Sequence, residues 1–337
     1  MLLLLVLSFA VKFSLYSYHF SSSLFSLLSS LFSLLSSLFS LLSTLRFLKG
    51  RHGITHFTLH GNKLDKLVVM AHGLGTSSQI YDDYVQPLVS AGFSVLTYDY
   101  FNHGWSKSDD YFLNYNKHAI VDQLEDLLDH VMPNKDTPVF GWVGHSTGGC
   151  VGVLADANLK RKISNFFYIS PAFFANKPLI AQLADQIPSI MRAFFRRNLL
   201  HVLIKDGYTE NGEISWGRDS TTGKYLFHDK REEHSKKNVQ MFAHHPLIIG
   251  GIFNVLSNIL RQDLLFEYVE LLSQSKARTL LTWGELDVVV PYNQKNIDSV
   301  SINPNVKVLG LKGLGHEGPL EDSSMIVPLM VDFFNEA

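Results

Sequence analysis

Four short segments of this 337-residue chain combine residue types that could carry out nucleophilic catalysis. The first, residues 144–148 (GHSTG), places Ser146 between two glycines. Gly-x-Ser-x-Gly is typical of a sharp strand-to-helix turn that exposes a nucleophilic serine. Such a turn requires glycines because it leaves no room for Cβ atoms beside the strained residue. Ser146 is therefore the candidate nucleophile.

Two later segments supply candidates for a base and a supporting acid. His316 follows the strand-like run KVLGL, so a loop could bring its imidazole to the serine hydroxyl and let it take the proton. The acid is Asp287 or Glu285, both in the segment GELD after the strand-like run TLLTW. We favour Asp287 because it has the later turn position that is usual for this acid.

The fourth segment, residues 72–75 (HGLG), could complete an oxyanion hole. It directly follows a strand-like run, and a glycine-rich turn there can point a backbone N–H at the reacting carbonyl. The amide after the nucleophile would point at the same oxygen. We therefore predict that the backbone N–H groups of Leu74 and Thr147 hold the oxyanion. A reaction of this type requires no metal and no organic cofactor.

The other histidines of the chain are given no role in proton transfer. His72, His103 and His145 belong to the motif turns, and we expect them to be structural. His244 and His245 are adjacent, but no carboxylate or third histidine lies at metal-ligand spacing from them. The sequence therefore predicts no metal site.

The elements that must position these residues alternate between strand-like and helix-like segments. This alternation predicts a mostly parallel sheet covered by helices on both faces. After Ser170 the alternation is interrupted by two lipophilic helical stretches, which predict an inserted, mainly helical cap at about 172–262. We predict strands at 66–72, 93–99, 138–143, 165–170, 279–283 and 306–311, and helices at 80–90, 116–131 and 149–159, with a last helix ending at Phe334.

Residues 66–337 resemble the α/β-hydrolase superfamily, in the branch of serine aminopeptidase-like hydrolases, monoglyceride lipases and small-ester hydrolases. The matching segments are AHGLG, YDYFNHGWS, VGHSTGG, WGELDVVVP and GLGH, in that order. The order Ser…Asp…His is also that of the superfamily. The resemblance implies an α/β-hydrolase fold over residues 50–337, with Ser146, Asp287 and His316 as the catalytic triad.

One segment departs from the pattern of this superfamily. Residues 100–102 (YFN) stand where many relatives carry a basic residue. We expect this departure to alter a structural turn without changing the triad.

The resemblance predicts hydrolysis of an acyl ester, of the carboxylesterase or lipase type, through an acyl-enzyme intermediate. The apolar stretches at 178–204 and 246–260 either pack the cap onto the domain or line an acyl pocket for a lipophilic substrate. A serine aminopeptidase is the alternative, and it would need an acidic recess for the substrate ammonium. A hydrolase-like receptor or scaffold without turnover is the second alternative.

Composition excludes several other classes of protein. The 29 Lys and Arg against 31 Asp and Glu give a net charge of −2, which argues against a nucleic-acid binder. Hydrophobic residues make up 46% of the chain, which excludes a disordered protein. The single cysteine, Cys150, excludes an intramolecular disulfide.

The amino-terminal segment differs in character from the rest of the chain. Lys12 is the one formally charged side chain in residues 1–45, and most of the segment repeats the heptad SSLFSLL. The uncharged residues 20–45 would cross ~30 Å of hydrocarbon as a helix. We predict a membrane anchor. A low-complexity tail or gene-model artefact and a cleaved signal segment, the last implying secretion, are the alternatives.

Charges that follow the apolar stretch predict its orientation. Arg46, Lys49 and Arg51 come directly after it. Because positive residues stay on the cytoplasmic side of a membrane, we expect the domain after residue 50 to face the cytosol.

Overall fold

The computed structural model describes residues 46–109, 117–175 and 251–337, apart from residues 253, 254, 257 and 261. The chain divides into two compact units, Met1–Arg46 and Phe47–Ala337. The predicted membrane anchor at 1–45 and almost all of the predicted cap lie outside the described residues. Among the residues that are described, no helix is both long and apolar enough to span a membrane.

A single sheet of nine strands forms the centre of the second unit. The strands are β1 (Arg46–Lys49), β2 (Gly53–His60), β3 (Leu67–Ala71), β4 (Ser94–Tyr98), β5 (Lys107–Ser108), β6 (Val139–His145), β7 (Ile163–Ile169), β8 (Arg278–Gly284) and β9 (Val306–Leu311). Eight of them lie in the order β1-β2-β4-β3-β6-β7-β8-β9, and β5 pairs with β2. The run from β4 to β9 is parallel throughout, whereas β2 pairs antiparallel with β4 and β5.

Helices connect the parallel strands. The described α-helices are α1 (Asp82–Ser90), α2 (Lys117–Val131), α3 (Thr147–Asn158), α4 (Gln262–Gln274), α5 (Gln294–Val300), α6 (Gly318–Glu321) and α7 (Ser323–Asn335). Three 3-10 turns accompany them, at Leu64–Lys66, Ser78–Tyr81 and Ala172–Phe174.

The sheet is buried on both faces, as the unbroken apolar runs of its central strands require. All five residues of β3 (LVVMA) are buried. Leu67, Val69 and Ala71 belong to one hydrophobic cluster, which includes residues of α2, α3 and α4. Val68 and Met70 belong to a second cluster, which includes residues of α1 and α7. Because neighbouring residues of a strand point to opposite faces, these two clusters lie on the two sides of the sheet.

The fold class predicted from the sequence is confirmed: the sheet is mostly parallel and has helices on both faces. The strand predicted at 306–311 has the predicted bounds, and the other predicted strands agree to within two residues at each end. Helix α3 begins at Thr147 rather than at residue 149, so it starts directly after the candidate nucleophile. The prediction lacked β1, β2, β5, helix α4 and the short helices α5 and α6.

Candidate active site

Ser146 lies between the end of β6 and the start of α3, in a strained conformation. Its φ of 51° and ψ of −114° are rare for a residue with a side chain. The turn is so tight that a Cβ on Gly144 would lie 2.4 Å from the carbonyl oxygen of Gly148. A Cβ on Gly148 would lie 2.0 Å from the carbonyl oxygen of Ala71, at the end of β3. Both glycines of the motif are therefore sterically required.

The hydroxyl of Ser146 is the first member of a continuous hydrogen-bonded chain. His316 Nε2 lies 2.9 Å from Ser146 Oγ, and His316 Nδ1 lies 2.8 Å from Asp287 Oδ2. The side chains of His316 and Asp287 are 4% and 0% exposed. Three residues that are far apart in sequence thus meet at the carboxyl ends of β6, β8 and β9. This edge is where parallel α/β sheets form their sites.

The carboxylate of Asp287 is held in place by the turn that follows β8. Its Oδ1 accepts hydrogen bonds from the backbone N–H of Val289 at 2.9 Å and of Val290 at 2.8 Å. Its other oxygen is left to face His316. Glu285 is exposed at the same turn. Of the two acids considered from the sequence, Asp287 is therefore the one that contacts the histidine.

The charge of Asp287 controls the proton affinity of His316. Burial by itself would lower the pKa of His316. The charge of Asp287 and its hydrogen bond, together with the charges of Glu317 and Glu321, outweigh burial and raise that pKa above its ordinary value. The imidazolium form is thereby stabilised, as a group that takes a proton from the serine requires.

The predicted oxyanion segment lies against the nucleophile. A Cβ on Gly73 would lie 3.3 Å from Ser146 Cβ and 2.9 Å from His145 Nδ1. Leu74 is the next residue of this turn. Thr147 is the first residue of α3, where a backbone N–H has no acceptor within its own helix. The helix dipole also favours negative charge at this end. The structure therefore brings the Leu74 turn and Thr147 to the same serine.

His72 supports the oxyanion turn rather than reacting. Its Nδ1 lies 2.7 Å from the carbonyl oxygen of Gly73, and its Nε2 lies 3.1 Å from the backbone nitrogen of Tyr100, whose N–H it accepts. Both ring nitrogens are thus used in the neutral form. Burial also lowers the pKa of His72 below its ordinary value, which favours the neutral ring. These contacts agree with the structural role expected from its motif position.

His145 connects the serine turn to the histidine loop. Its Nε2–H donates to the carbonyl oxygen of His316 at 2.9 Å. Burial lowers the pKa of His145 to about 3, so the ring stays neutral. Its backbone N–H donates at 3.1 Å to the hydroxyl of Tyr81, which donates to Ala71 O at 2.8 Å. Sequence reasoning missed both links, because their partners are 171 and 64 residues from His145.

One group of side chains in the described part of the chain has metal-ligand spacing. His145, His316 and Glu317 each place a ligand atom within 4.8 Å of the others. However, both nitrogens of His316 already form hydrogen bonds, with Ser146 and Asp287. A metal ion bound there would have to break one of these two hydrogen bonds of His316.

The segment YDYFNHGWS forms a turn that is organised around Asp99. This buried carboxylate accepts hydrogen bonds from His56 Nδ1 at 2.8 Å, Ser78 N at 2.8 Å and Trp105 N at 2.9 Å. Burial opposes its ionisation, but the hydrogen bond from His56 and the nearby histidines lower its pKa to about 2. The unusual residues 100–102 lie in this turn, where Asn102 has a φ of 60°. The His56–Asp99 pair was not predicted from the sequence.

Comparisons with known proteins agree with this arrangement. A family model described as serine aminopeptidase, S33, matches residues 62–322. A monoglyceride lipase from Rattus norvegicus is 29% identical over 110 residues, which cover 33% of this chain and 36% of that protein. A monoglyceride lipase homolog from Monkeypox virus is 29% identical over 153 residues, which cover 44% of this chain and 48% of that protein. The chain thus spans less than half the length of these relatives.

A solved structure extends the similarity to most of the chain. A thermophilic esterase from Thermogutta terrifontis superposes with a TM-score of 0.66 and covers 86% of this chain and 98% of its own. The two sequences are 15% identical, so this likeness shows a shared fold and nothing about substrates.

Proposed function

Because the chain belongs to the serine aminopeptidase (S33) family of the α/β-hydrolase superfamily, we propose that it is a serine hydrolase that cleaves acyl esters. The observation that carries the proposal is the continuous chain Ser146–His316–Asp287, with contacts of 2.9 and 2.8 Å. In this proposal Ser146 is the nucleophile, His316 the general base and Asp287 the acid that orients it.

The first half-reaction would form an acyl-enzyme. His316 Nε2 takes the proton of Ser146 as Oγ attacks the ester carbonyl, and the carbonyl electrons move onto oxygen. The Nδ1–H bond to Asp287 keeps the imidazole in the tautomer whose Nε2 can accept that proton. The backbone amides of Leu74 and Thr147 stabilise the oxyanion. The tetrahedral adduct then collapses, and the alcohol leaves with the proton held by His316.

The second half-reaction would return the free enzyme. His316 removes a proton from a water molecule as its oxygen attacks the acyl carbonyl on Ser146. A second tetrahedral adduct forms in the same oxyanion site. Its collapse releases the carboxylic acid, and the proton on His316 returns to Ser146 Oγ.

An apolar acyl group is the substrate feature that we infer. The relatives named monoglyceride lipase support it, since such a name describes a lipid ester. Leu286 and Val288, on either side of Asp287, are exposed apolar side chains beside the triad. The apolar segments 178–204 and 246–260, which either pack the cap or line an acyl pocket, fall within the predicted cap and lie mostly outside the described residues. A serine aminopeptidase remains the second candidate because the family description names that activity.

Covalent labelling tests the nucleophile. A fluorophosphonate probe should label the wild-type protein at Ser146, and Ser146→Ala should abolish labelling. Ser170→Ala is a matched control, because Ser170 is also buried and has a positive φ of 43°, at the end of the neighbouring strand β7. Its removal should leave labelling intact. Persistent labelling of the Ser146 variant would overturn the assignment.

A panel of substrates separates ester from peptide hydrolysis. Each methylene that enters an apolar pocket contributes ~0.8 kcal/mol, so kcat/KM should rise about fourfold per carbon until the pocket is full. Esters with acyl groups of two to twelve carbons and aminoacyl-anilides should be measured side by side. A flat ester series together with faster anilide cleavage would favour the aminopeptidase.

We also propose that residues 1–45 attach the protein to a membrane with the hydrolase domain in the cytosol. The uncharged stretch 20–45 supports attachment. The orientation is inferred from the basic residues that follow this stretch. Of these, Lys49 pairs with Asp109 and Arg51 pairs with three acids of α2, so their charges are balanced within the domain. Alkaline extraction of membranes tests attachment, and protease protection in sealed vesicles tests sidedness. Release by alkali would contradict attachment, and a protected domain would contradict the orientation.

A further inference from the structure

The loop that carries His316 connects β9 to α6 and packs tightly against the end of β8. A Cβ on Gly284 would lie 2.2 Å from the carbonyl oxygen of Gly315. This backbone-to-backbone contact sets where the loop lies. It does not by itself determine the orientation of His316.

A buried carboxylate at the end of α6 provides that second constraint. Glu321 Oε2 accepts the backbone N–H of Gly315 at 2.7 Å, and Glu321 Oε1 accepts the backbone N–H of Glu317 at 3.0 Å. These two amides lie on either side of His316. Glu321 is 5% exposed, so water competes little for its oxygens.

We propose that Glu321 is a positioning residue, which binds the backbone N–H groups of the residues before and after His316 so that the imidazole meets Ser146 and Asp287. The proposal rests on the proposed function of the triad. A carboxylate suits this task because each of its two oxygens can accept an N–H.

The third link to this loop comes from the serine turn. His145 Nε2–H donates to the carbonyl oxygen of His316 at 2.9 Å. Three consecutive residues of the loop are thus hydrogen-bonded through their backbone, two of them to Glu321. Of these three bonds, loss of Glu321 would leave only the one from His145. A catalytic group misplaced by about 1 Å can lose roughly a hundredfold in rate.

The neighbouring Glu317 separates the effect of position from that of charge. Both carboxyls are buried, and burial raises the pKa of each to about 7. Both carboxylates act to raise the pKa of His316. The two loop amides, however, donate to Glu321, and Glu317 Oε2 has no hydrogen-bond partner within the described part of the chain. Removal of either charge should therefore lower the pKa of His316, whereas only a change at Glu321 should alter the position of the His316 imidazole.

Three variants of the full chain exploit this difference. Glu321→Gln keeps one acceptor but turns its amide NH₂ toward the second backbone N–H. Glu321→Asp keeps the charge but is one methylene too short to reach both amides. Glu317→Gln removes a neighbouring charge and leaves the two bonds in place.

The rate should be measured per active site, titrated with a fluorophosphonate, so that unfolded protein does not count. At the alkaline plateau, kcat should fall roughly 10- to 100-fold in both Glu321 variants, with KM within about twofold. Glu317→Gln should keep kcat within about threefold. The acid limb of the pH profile should move to lower pH in Glu317→Gln and Glu321→Gln, because each variant loses a carboxylate that raises the pKa of His316.

An equal loss of plateau rate in Glu317→Gln, or no loss per active site in Glu321→Gln, would overturn the proposal. Failure of the proposed function looks different, since the wild-type protein would then not be labelled at Ser146. A measurement that requires no catalytic turnover tests the role of Glu321 even in that case. The low-field proton resonance of the His316–Asp287 hydrogen bond should be sharp in wild type and Glu317→Gln and broadened in both Glu321 variants. A sharp signal in the latter two would also contradict the role of Glu321.

Discussion

Two histidine–aspartate pairs in this molecule have the same geometry. In each, the histidine Nδ1 lies 2.8 Å from an aspartate Oδ2: His316 with Asp287, and His56 with Asp99. Both aspartate side chains are 0% exposed, and the histidines are 4% and 7% exposed. In both pairs, backbone N–H groups also bind the carboxylate.

The difference between the pairs lies at the far side of the imidazole ring. His316 Nε2 faces the hydroxyl of Ser146, whereas His56 Nε2 is buried without a hydrogen-bond partner among the residues that the structure describes. A proton taken up by His316 can therefore come from a nucleophile, and one taken up by His56 cannot. The comparison teaches that a buried His–Asp pair marks a catalytic site only when a nucleophile stands at the second ring nitrogen.

Removal of the two histidines should give the largest contrast. His316→Ala should reduce kcat by roughly 10⁴- to 10⁶-fold, as loss of a triad base does in serine hydrolases. His56→Ala should leave kcat per titrated active site nearly unchanged but cost roughly 3 kcal/mol of unfolding free energy, because Asp99 loses a buried partner. Ester turnover and urea unfolding of both variants measure this. A comparable loss of turnover in both would make the comparison wrong.

Exchange of each aspartate for asparagine tests the same contrast from the acid side. Asp287→Asn should reduce kcat by roughly 10⁴-fold, because its amide favours the wrong imidazole tautomer. Asp99→Asn should change kcat far less, since its histidine faces no nucleophile. Steady-state rates on one ester, together with near-UV circular dichroism to verify packing, decide this. Similar rates for the two variants would remove the distinction between the pairs.

Acid titration should reveal the Asp99 pair as a contribution to stability. Its pKa falls from 3.8 to about 2 in the folded protein, which corresponds to about 2 kcal/mol. Because the folded-state pKa is the lower one, this stability is present above pH 3.8 and is lost as the pH falls through about 2. The difference in unfolding free energy between wild type and Asp99→Asn should therefore shrink by about 2 kcal/mol from pH 5 to pH 2. A difference that is constant with pH would contradict this account.

The smallest effect is expected at Glu285, the exposed acid two residues before Asp287. Glu285→Gln should change kcat/KM by less than about twofold, since this carboxylate lies outside the contact with His316. The same ester assay measures it beside Asp287→Asn. A large loss at Glu285 would reopen the choice between the two acids.

The sequence predicted strands best where an apolar or β-branched run has turn residues beside it. This pattern holds for β3, which is buried throughout, and for β9, which is partly exposed, and the bounds of both were nearly right. β2 (GITHFTLH) was missed because its two histidines break the apolar pattern. His56 can be buried there only because Asp99 accepts its Nδ1–H, and this pairing depends on a residue 43 positions later.

The same distinction holds within the candidate site. Ser146, Asp287, His316, Leu74 and Thr147 were predicted because each lies in a local motif. Glu321 was missed although it is five residues from His316, because no local pattern indicates that its oxygens turn back to the loop. The bond from His145 to the His316 carbonyl joins residues 171 positions apart, which packing alone brings together.

The separation of 170 positions between Ser146 and His316 also affects the timing of synthesis. At a translation rate of roughly 5–20 residues per second, the ribosome makes the serine roughly 10 to 30 seconds before the histidine that activates it. The nascent chain therefore carries a serine without a base while the first strands fold. Ribosome-bound chains that stop between Ser146 and His316 should therefore not react with a fluorophosphonate. For the same reason, the nascent chain should not hydrolyse esters until His316 has been added.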